Sequence, residues 1–164
     1  MFVSPTYGPI EFAEIPEHLL AFYEHHLVHA SDYAIMVGSD SQNFDYTKSV
    51  TVISIICKGH GGIFFYEKSK LPLLRDVRSK LYAETQHSLE TTTELIAILE
   101  SNERYQEMYR NCPISIHVDA GNSDKGKTAP LIPEIIGWVH SLGYKCHIKP
   151  DSFVASSIAD KISK

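Results

Sequence analysis

Apolar positions along the chain follow two periods, which predict alternating strands and helices. Compact runs rich in β-branched residues indicate strands, and apolar residues three and four positions apart indicate helices. The predicted strands are residues 33–40, 49–59, 62–68, 112–119 and 144–149. The predicted helices are residues 16–30, 71–101, 130–142 and 151–162. The resulting order, α-βββ-α-β-α-β-α, predicts the α/β class.

The order of these elements also predicts how the strands pair. Three consecutive strands favour an antiparallel meander, and the later strands, which alternate with helices, should join it in parallel. A chain of 164 residues is typical of one domain. We therefore expect a single domain over residues 1–164, with residues 1–30 as an N-terminal helical extension of a core at 31–164.

Composition narrows the class of protein. No apolar run approaches the roughly 20 residues that a membrane helix needs, and the first residues do not resemble a secretory signal. The three cysteines are odd in number and form no C-x-x-C motif, so a reducing cytoplasmic location is predicted. A net charge of -5 argues against strong attraction to nucleic acid through charge alone. The sequence gives no indication of oligomeric state.

One segment departs from this acidic balance. KSKLPLLRDVRSK, residues 68–80, holds five bases and one acid. Two interpretations stay open, a strip that contacts phosphates or the solvated face of a loop and helix.

The stretch HVDAGNSDKGKT, residues 117–128, contains two competing signals. Its second half fits the phosphate-binding pattern G-x-x-x-x-G-K-[ST]. Only 36 residues follow Thr128, and no later apolar strand ends in an acid that could hold Mg²⁺. A phosphate-binding helix beginning near Lys127 would also place Pro133 in its interior, which costs roughly 3 kcal/mol. We therefore predict that no nucleotide P-loop forms here.

The acidic half of the stretch gains support from elsewhere in the chain. Asp40 and Asp119 follow apolar runs that, as parallel neighbours, would meet at one edge of the sheet. Glu84 lies on the inward stripe of the long helix, and Asp160 aligns with small residues of the last helix. Carboxylates that converge repel one another unless a cation lies between them, and oxygen ligands favour Mg²⁺ or Mn²⁺.

Four blocks in order, GSDSQ, the E-T-x-x-S of residues 84–88, HVDAG and KPDSFVASSIADK, resemble the YkuK-type, RNase H-like proteins of bacteria. The resemblance covers residues 30–162. It implies a ribonuclease H-like fold with a mixed five-stranded sheet of order 3-2-1-4-5, flanked by helices. It also implies that the catalytic and metal-binding acids are Asp40, Glu84, Asp119 and Asp160. Asp151 is the alternative fourth acid.

The predicted function is that of a nuclease that cleaves RNA, DNA or a hybrid with two Mg²⁺ or Mn²⁺ ions. Lys149, Lys161 and His117 are candidate phosphate contacts. One alternative is a catalytically silent RNase H-like module that binds nucleic acid or a protein. Less favoured is a P-loop or actin-like nucleotide phosphatase, because the actin-like fold normally needs two copies of the domain.

Overall fold

The computed structural model describes residues 1–27, 32–121 and 127–164, which form a mixed sheet with helices on both faces. The strands are β1 (Phe2–Ser4), β2 (Gly8–Ile10), β3 (Tyr33–Asn43), β4 (Thr47–Cys57), β5 (Gly62–Leu71), β6 (Ile114–His117) and β7 (Lys145–His147). The helices are α1 (Ile15–His25), α2 (Val77–Ser101), α3 (Gln106–Asn111), α4 (Ile132–Ser141), a π-helical segment (Val154–Ala159) and α5 (Asp160–Ser163). Within the three described ranges, no helix is long and apolar enough to cross a membrane.

The sheet has seven strands in the order β2-β1-β5-β4-β3-β6-β7, so the predicted count of five is wrong. The predicted order, 3-2-1-4-5, matches five consecutive strands of this sheet, from β5 to the edge strand β7. The two additional strands form a hairpin that pairs with β5 through Val3 and Tyr66. They lie in the N-terminal extension that was predicted to be helical. Strands of three residues are too short to show a two-residue period, which explains why they were missed. That residues 1–164 form one domain stays a prediction.

Several predicted boundaries also change, including the end of β6, which is His117 rather than Asp119. β3 does not end at Asp40 but continues to Asn43, where it turns into β4. Helix α1 ends at His25, and the last predicted residues of that helix lie in 28–31, outside the described residues. Residues 122–126 of the Gly-Lys-Thr stretch are likewise outside them.

The parallel pairing of β3 with β6 sets the position of the two strand acids. Its last pair in register joins Gly38 to His117. Asp40 and Asp119 each lie two residues further along the chain. Because parallel strands point the same way, both carboxylates emerge at one edge of the sheet, as the patterning predicted.

Helix α2 covers one face of the sheet and carries Glu84 towards it. The Asp76 side chain caps the helix by accepting a hydrogen bond from the Ser79 amide at 3.0 Å. Further along, the Ser88 and Ser39 hydroxyls hydrogen-bond at 2.7 Å, which ties the helix to β3. Glu84 is one turn before Ser88 and is therefore buried against the sheet.

The C-terminal helical segment packs on the opposite face of β3 at very close range. A Cβ added to Gly38 would lie 2.9 Å from the backbone nitrogen of Ala155. Val154, Ala155 and Ala159 are fully buried in this contact. Small residues on both sides thus allow the backbones to approach, and Asp160 follows directly after the packed segment.

We expect Gly38→Ala to destabilise the protein by about 1–3 kcal/mol, because the added methyl must displace backbone atoms. The control is Gly137→Ala in α4, where the added methyl meets no atom within 4 Å. That change should be neutral or stabilising by about 0.5–1 kcal/mol, since alanine favours a helix. Urea unfolding of both variants measures the difference. Equal stability of Gly38→Ala and wild type would contradict the close packing.

Candidate active site

A cavity of about 230 Å³ at the carboxyl edge of the sheet brings the four predicted acids together. Its lining consists of Asp40, Ser41, Gln42, Val77, Lys80, Leu81, Glu84, Asp119, Thr128 and Asp160. A larger cavity, of about 540 Å³, lies beside the other end of β6, and Glu100 is its one acidic lining residue. The chemistry therefore favours the smaller cavity as the candidate site.

Asp40 is the central acid of the cavity. It is 5% exposed, and its Oδ2 accepts a hydrogen bond from the Ser163 hydroxyl at 2.7 Å. Burial raises its pKa to about 6, and the negative charges of Asp119 and Asp160 add to the rise, whereas the Ser163 hydrogen bond opposes it. Burial and the neighbouring acids therefore destabilise the charged form of Asp40 more than the Ser163 hydrogen bond stabilises it.

Glu84 is the most strongly perturbed acid. It is 8% exposed, and its Oε1 accepts a hydrogen bond from the Ser41 hydroxyl at 2.6 Å. Burial raises its pKa to about 8; the Ser41 hydrogen bond opposes this rise, and the charge of Asp40 adds to it. At neutral pH the metal-free protein therefore keeps Glu84 largely protonated.

Asp119 is held by a lysine. The Lys149 Nζ lies 2.9 Å from its Oδ1, within ion-pair distance. That oxygen is buried and accepts no hydrogen bond from any described residue, so the ammonium contact is electrostatic rather than a directed bond. Lys149, a predicted phosphate contact, therefore lies at the site, and Asp119 partly neutralises its charge.

The last helix supplies Asp160 rather than Asp151. Asp160 lines the cavity, and its Oδ2 pairs with Lys164 Nζ at 2.8 Å. Asp151, the alternative fourth acid, is exposed and does not line the cavity. Lys161, a predicted phosphate contact, is also exposed and outside the lining.

His117, a candidate phosphate contact, is buried and does not line the cavity. It is 3% exposed, and its Nδ1 accepts a hydrogen bond from the Val154 amide at 3.2 Å. Burial lowers its pKa to about 4, with a contribution from His147. A neutral, buried imidazole that anchors the C-terminal helical segment does not contact a phosphate in the cavity.

The Gly-Lys-Thr part of the stretch does not begin a helix. A 3₁₀ turn starts at Ala129, and α4 starts only at Ile132. The Thr128 hydroxyl accepts a hydrogen bond from the Gly121 amide at 3.2 Å. The helix therefore starts five residues after Lys127, and the absence of a nucleotide P-loop stays a prediction.

The donor chemistry of the cavity fits a hard divalent cation. All four acids offer oxygen ligands, which suit Mg²⁺ and Mn²⁺. The raised pKa values of Asp40 and Glu84 indicate that positive charge around these two acids is insufficient, and the buried Asp119 Oδ1 still has no hydrogen-bond donor in the described part of the chain. Among the residues described, however, no three His, Cys, Asp or Glu side chains are arranged to hold a metal ion as they stand. For a metal ion to bind, the hydroxyl and lysine partners of these acids would have to move away.

Two polar residues near the acids, Lys80 and Ser163, were not singled out from the sequence, although Lys80 ends the basic segment 68–80. Lys80 lies one helical turn before Glu84, and its charge acts to lower the pKa of that acid. The four-residue spacing on α2 was a usable signal for Lys80. Ser163 was not recognisable, because its contact with Asp40 spans 123 positions of the chain.

Comparison with known proteins gives one family and one curated relative. The Ribonuclease H-like family profile matches residues 14–164. The uncharacterized protein YkuK of Bacillus subtilis (strain 168) is 30% identical over 172 aligned positions, which cover all of this chain and 97% of that protein. No solved structure gives a significant match.

The raised pKa of Glu84 predicts a particular pH dependence of stability without metal. The folded state holds a proton on Glu84 that the unfolded state releases above its ordinary pKa of 4.5, so stability should fall as pH rises towards 8. Between pH 6.5 and 8.5, the neutral variant Glu84→Gln should lose less stability than wild type. His117 does not interfere, because its lowered pKa acts below 6.5.

Thermal melting in EDTA across this range measures the effect. Glu94→Gln, an exposed position on the same helix, serves as the control and should follow wild type. Parallel pH curves for Glu84→Gln and wild type would show that Glu84 is ionised in the folded protein.

Proposed function

Since the chain belongs to the Ribonuclease H-like family, we propose that it is a divalent-metal-dependent phosphodiesterase that cleaves nucleic acid. The observation that carries this proposal is the convergence of Asp40, Glu84, Asp119 and Asp160 on one cavity, where two neighbouring parallel strands and two helices meet. Such a cluster of two buried and two half-buried acids is destabilising without a cation, because like charges repel and lose hydration together.

These four acids would hold Mg²⁺ or Mn²⁺. Bound in a pair, such ions supply an activated water and stabilise the charge on the leaving oxygen. The Ser41 and Ser163 hydroxyls contact Glu84 and Asp40 and orient their carboxylates. Neither serine would be needed as a general base, because a metal-bound water already has a much lowered pKa.

Two lysines are suited to the phosphate of the substrate. Lys80 lines the cavity, and Lys149 reaches Asp119 from its other side. On metal binding, Lys149 would exchange its contact with Asp119 for one with a phosphate oxygen. A flexible ammonium group is suited to such an exchange because its donors rotate.

A second candidate is a catalytically silent module that binds nucleic acid. The favouring observation is that each of the four acids already has a hydroxyl or ammonium neighbour: Ser163 for Asp40, Ser41 for Glu84, Lys149 for Asp119 and Lys164 for Asp160. A module of this kind would keep these contacts and would not require metal.

Thermal melting and cleavage assays with Mn²⁺ separate these candidates. Wild type should be stabilised by about 2.7 kcal/mol at a hundredfold excess of Mn²⁺ over its dissociation constant. Asp40→Asn should lose most of this gain and all cleavage of single-stranded RNA, DNA or a hybrid. It should also melt higher than wild type in EDTA, because one repelling charge is removed.

Asp151→Asn is the matched control, since it makes the same chemical change at an exposed position outside the cavity. It should keep both the metal effect and the cleavage. Melting that is independent of Mn²⁺, together with no cleavage of any substrate, would reject the enzyme and leave the binding module.

A further inference from the structure

A surface beside the cavity combines one exposed and one half-buried aromatic ring with two lysines. It consists of Phe44, Tyr46, Lys48 and Lys70, at the turn from β3 to β4 and on the adjoining end of β5; we call it the hairpin-tip patch. Phe44 is 54% exposed, although it is a large apolar residue. Its ring centroid lies 6.1 Å from that of Tyr46. The patch therefore presents the Phe44 ring to solvent, with the half-buried ring of Tyr46 beside it.

The register of the strands places the two lysines side by side. Lys48 pairs with Lys70 across β4 and β5, and with Gln42 across β3 and β4. Residues directly opposite one another in a sheet point to the same face, so the two ammonium groups share one surface. Like charges in this arrangement are destabilising, and an anion bound between them would remove the cost.

Within the described part of the chain, no side-chain carboxylate pairs with either lysine, although Asp45 is exposed in the same turn. The Lys48 Nζ lies 5.2 Å from the Phe44 centroid and donates to the main-chain oxygen of Lys164 at 3.2 Å. The Lys70 Nζ lies 4.5 Å from the Tyr46 centroid. Their charges are thus directed over aromatic rings.

Hydrogen bonds on the other side of the turn hold the patch in place. The Thr47 hydroxyl donates to Asn43 Oδ1 at 2.8 Å and accepts from the Leu74 amide at 2.8 Å. The Asn43 side-chain amide donates to the Leu74 carbonyl, also at 2.8 Å. These bonds fix the turn to the loop before α2, which brings the exposed Arg75 next to it. A surface ordered in advance binds with a lower entropic cost.

The patch is continuous with the cavity. Asp40 and Gln42 line the cavity on β3, and Phe44 follows in the turn. At about 3.3 Å per residue, Phe44 lies roughly 13 Å along the strand from Asp40. A strand of nucleic acid with a phosphate in the cavity could therefore extend over the patch.

We propose that the hairpin-tip patch binds single-stranded nucleic acid and directs the strand into the cavity. This rests on the proposed function, whose substrate class it specifies. The two lysines contact backbone phosphates, and Phe44 stacks on a base. In a duplex, base faces are already stacked on their neighbours, so an exposed ring of this kind favours an unpaired strand of any sequence.

Fluorescence anisotropy in EDTA tests binding without cleavage. The probes are labelled oligo(dT), labelled oligo(U) and the duplex of oligo(dT) with oligo(dA). Wild type should bind both single strands more tightly than the duplex. Phe44→Ala should weaken single-strand binding by about five- to a hundredfold, the range found for loss of one stacked base, and Phe44→Trp should retain it.

The lysines are tested by the salt dependence of binding. Lys48→Ala/Lys70→Ala should reduce the slope of log affinity against log salt by about 0.7 per phosphate contact, or about 1.4 in all. The control, Lys58→Ala/Lys145→Ala, removes the same charge from exposed positions away from the patch and should leave the slope nearly unchanged. Melting curves check that every variant is folded.

The two proposals fail in different ways. Binding that depends on the patch without cleavage in Mn²⁺ would support the patch and reject the nuclease. Cleavage of single strands by patch variants at the wild-type rate, with unchanged affinity, would overturn the patch and keep the nuclease. Equal affinity of wild type for the duplex and the single strands would overturn the substrate class.

Discussion

The parallel pairing of β3 with β6 is the contact on which the candidate site depends. Its register brings Asp40 and Asp119 to one edge of the sheet, and the close packing at Gly38 adds Asp160 from the opposite side to Glu84. The geometry that gathers these acids also lowers the stability of the folded protein when they are charged. Burial raises the pKa of Asp40 and Glu84, which shows that their charged forms are disfavoured. A protein that only needed stability would place apolar side chains there.

The metal-free chain reduces this cost in ways that are reversible. Glu84 keeps a proton near neutral pH, serine hydroxyls donate to two of the acids, and lysines pair with the other two. Each of these contacts is one that a divalent cation or a phosphate could replace. This accounts for a cluster of acids that is not arranged to hold a metal as it stands and is nevertheless chemically suited to one.

The sequence predicts those elements of the fold in which apolar residues follow a regular pattern. Buried strands show as apolar runs, which located Asp40 and Asp119, and helical spacing placed Glu84 on the inner face of α2. Features that arise only in three dimensions were not predictable: the contact of Ser163 with Asp40, the burial of His117, and the three-residue strands β1 and β2. The basic segment 68–80 did not show from the sequence that Lys70 lies opposite Lys48, which only the strand register shows.

The central claim is that the four-acid cavity is a metal site. Anomalous diffraction from crystals grown with Mn²⁺ tests it most directly, because it locates the ion without relying on activity. We predict manganese within the cavity, bound by Asp40 and Asp119, with Ser163 and Lys149 moved away from these two acids. Manganese found only elsewhere on the protein, with both contacts intact, would contradict the account.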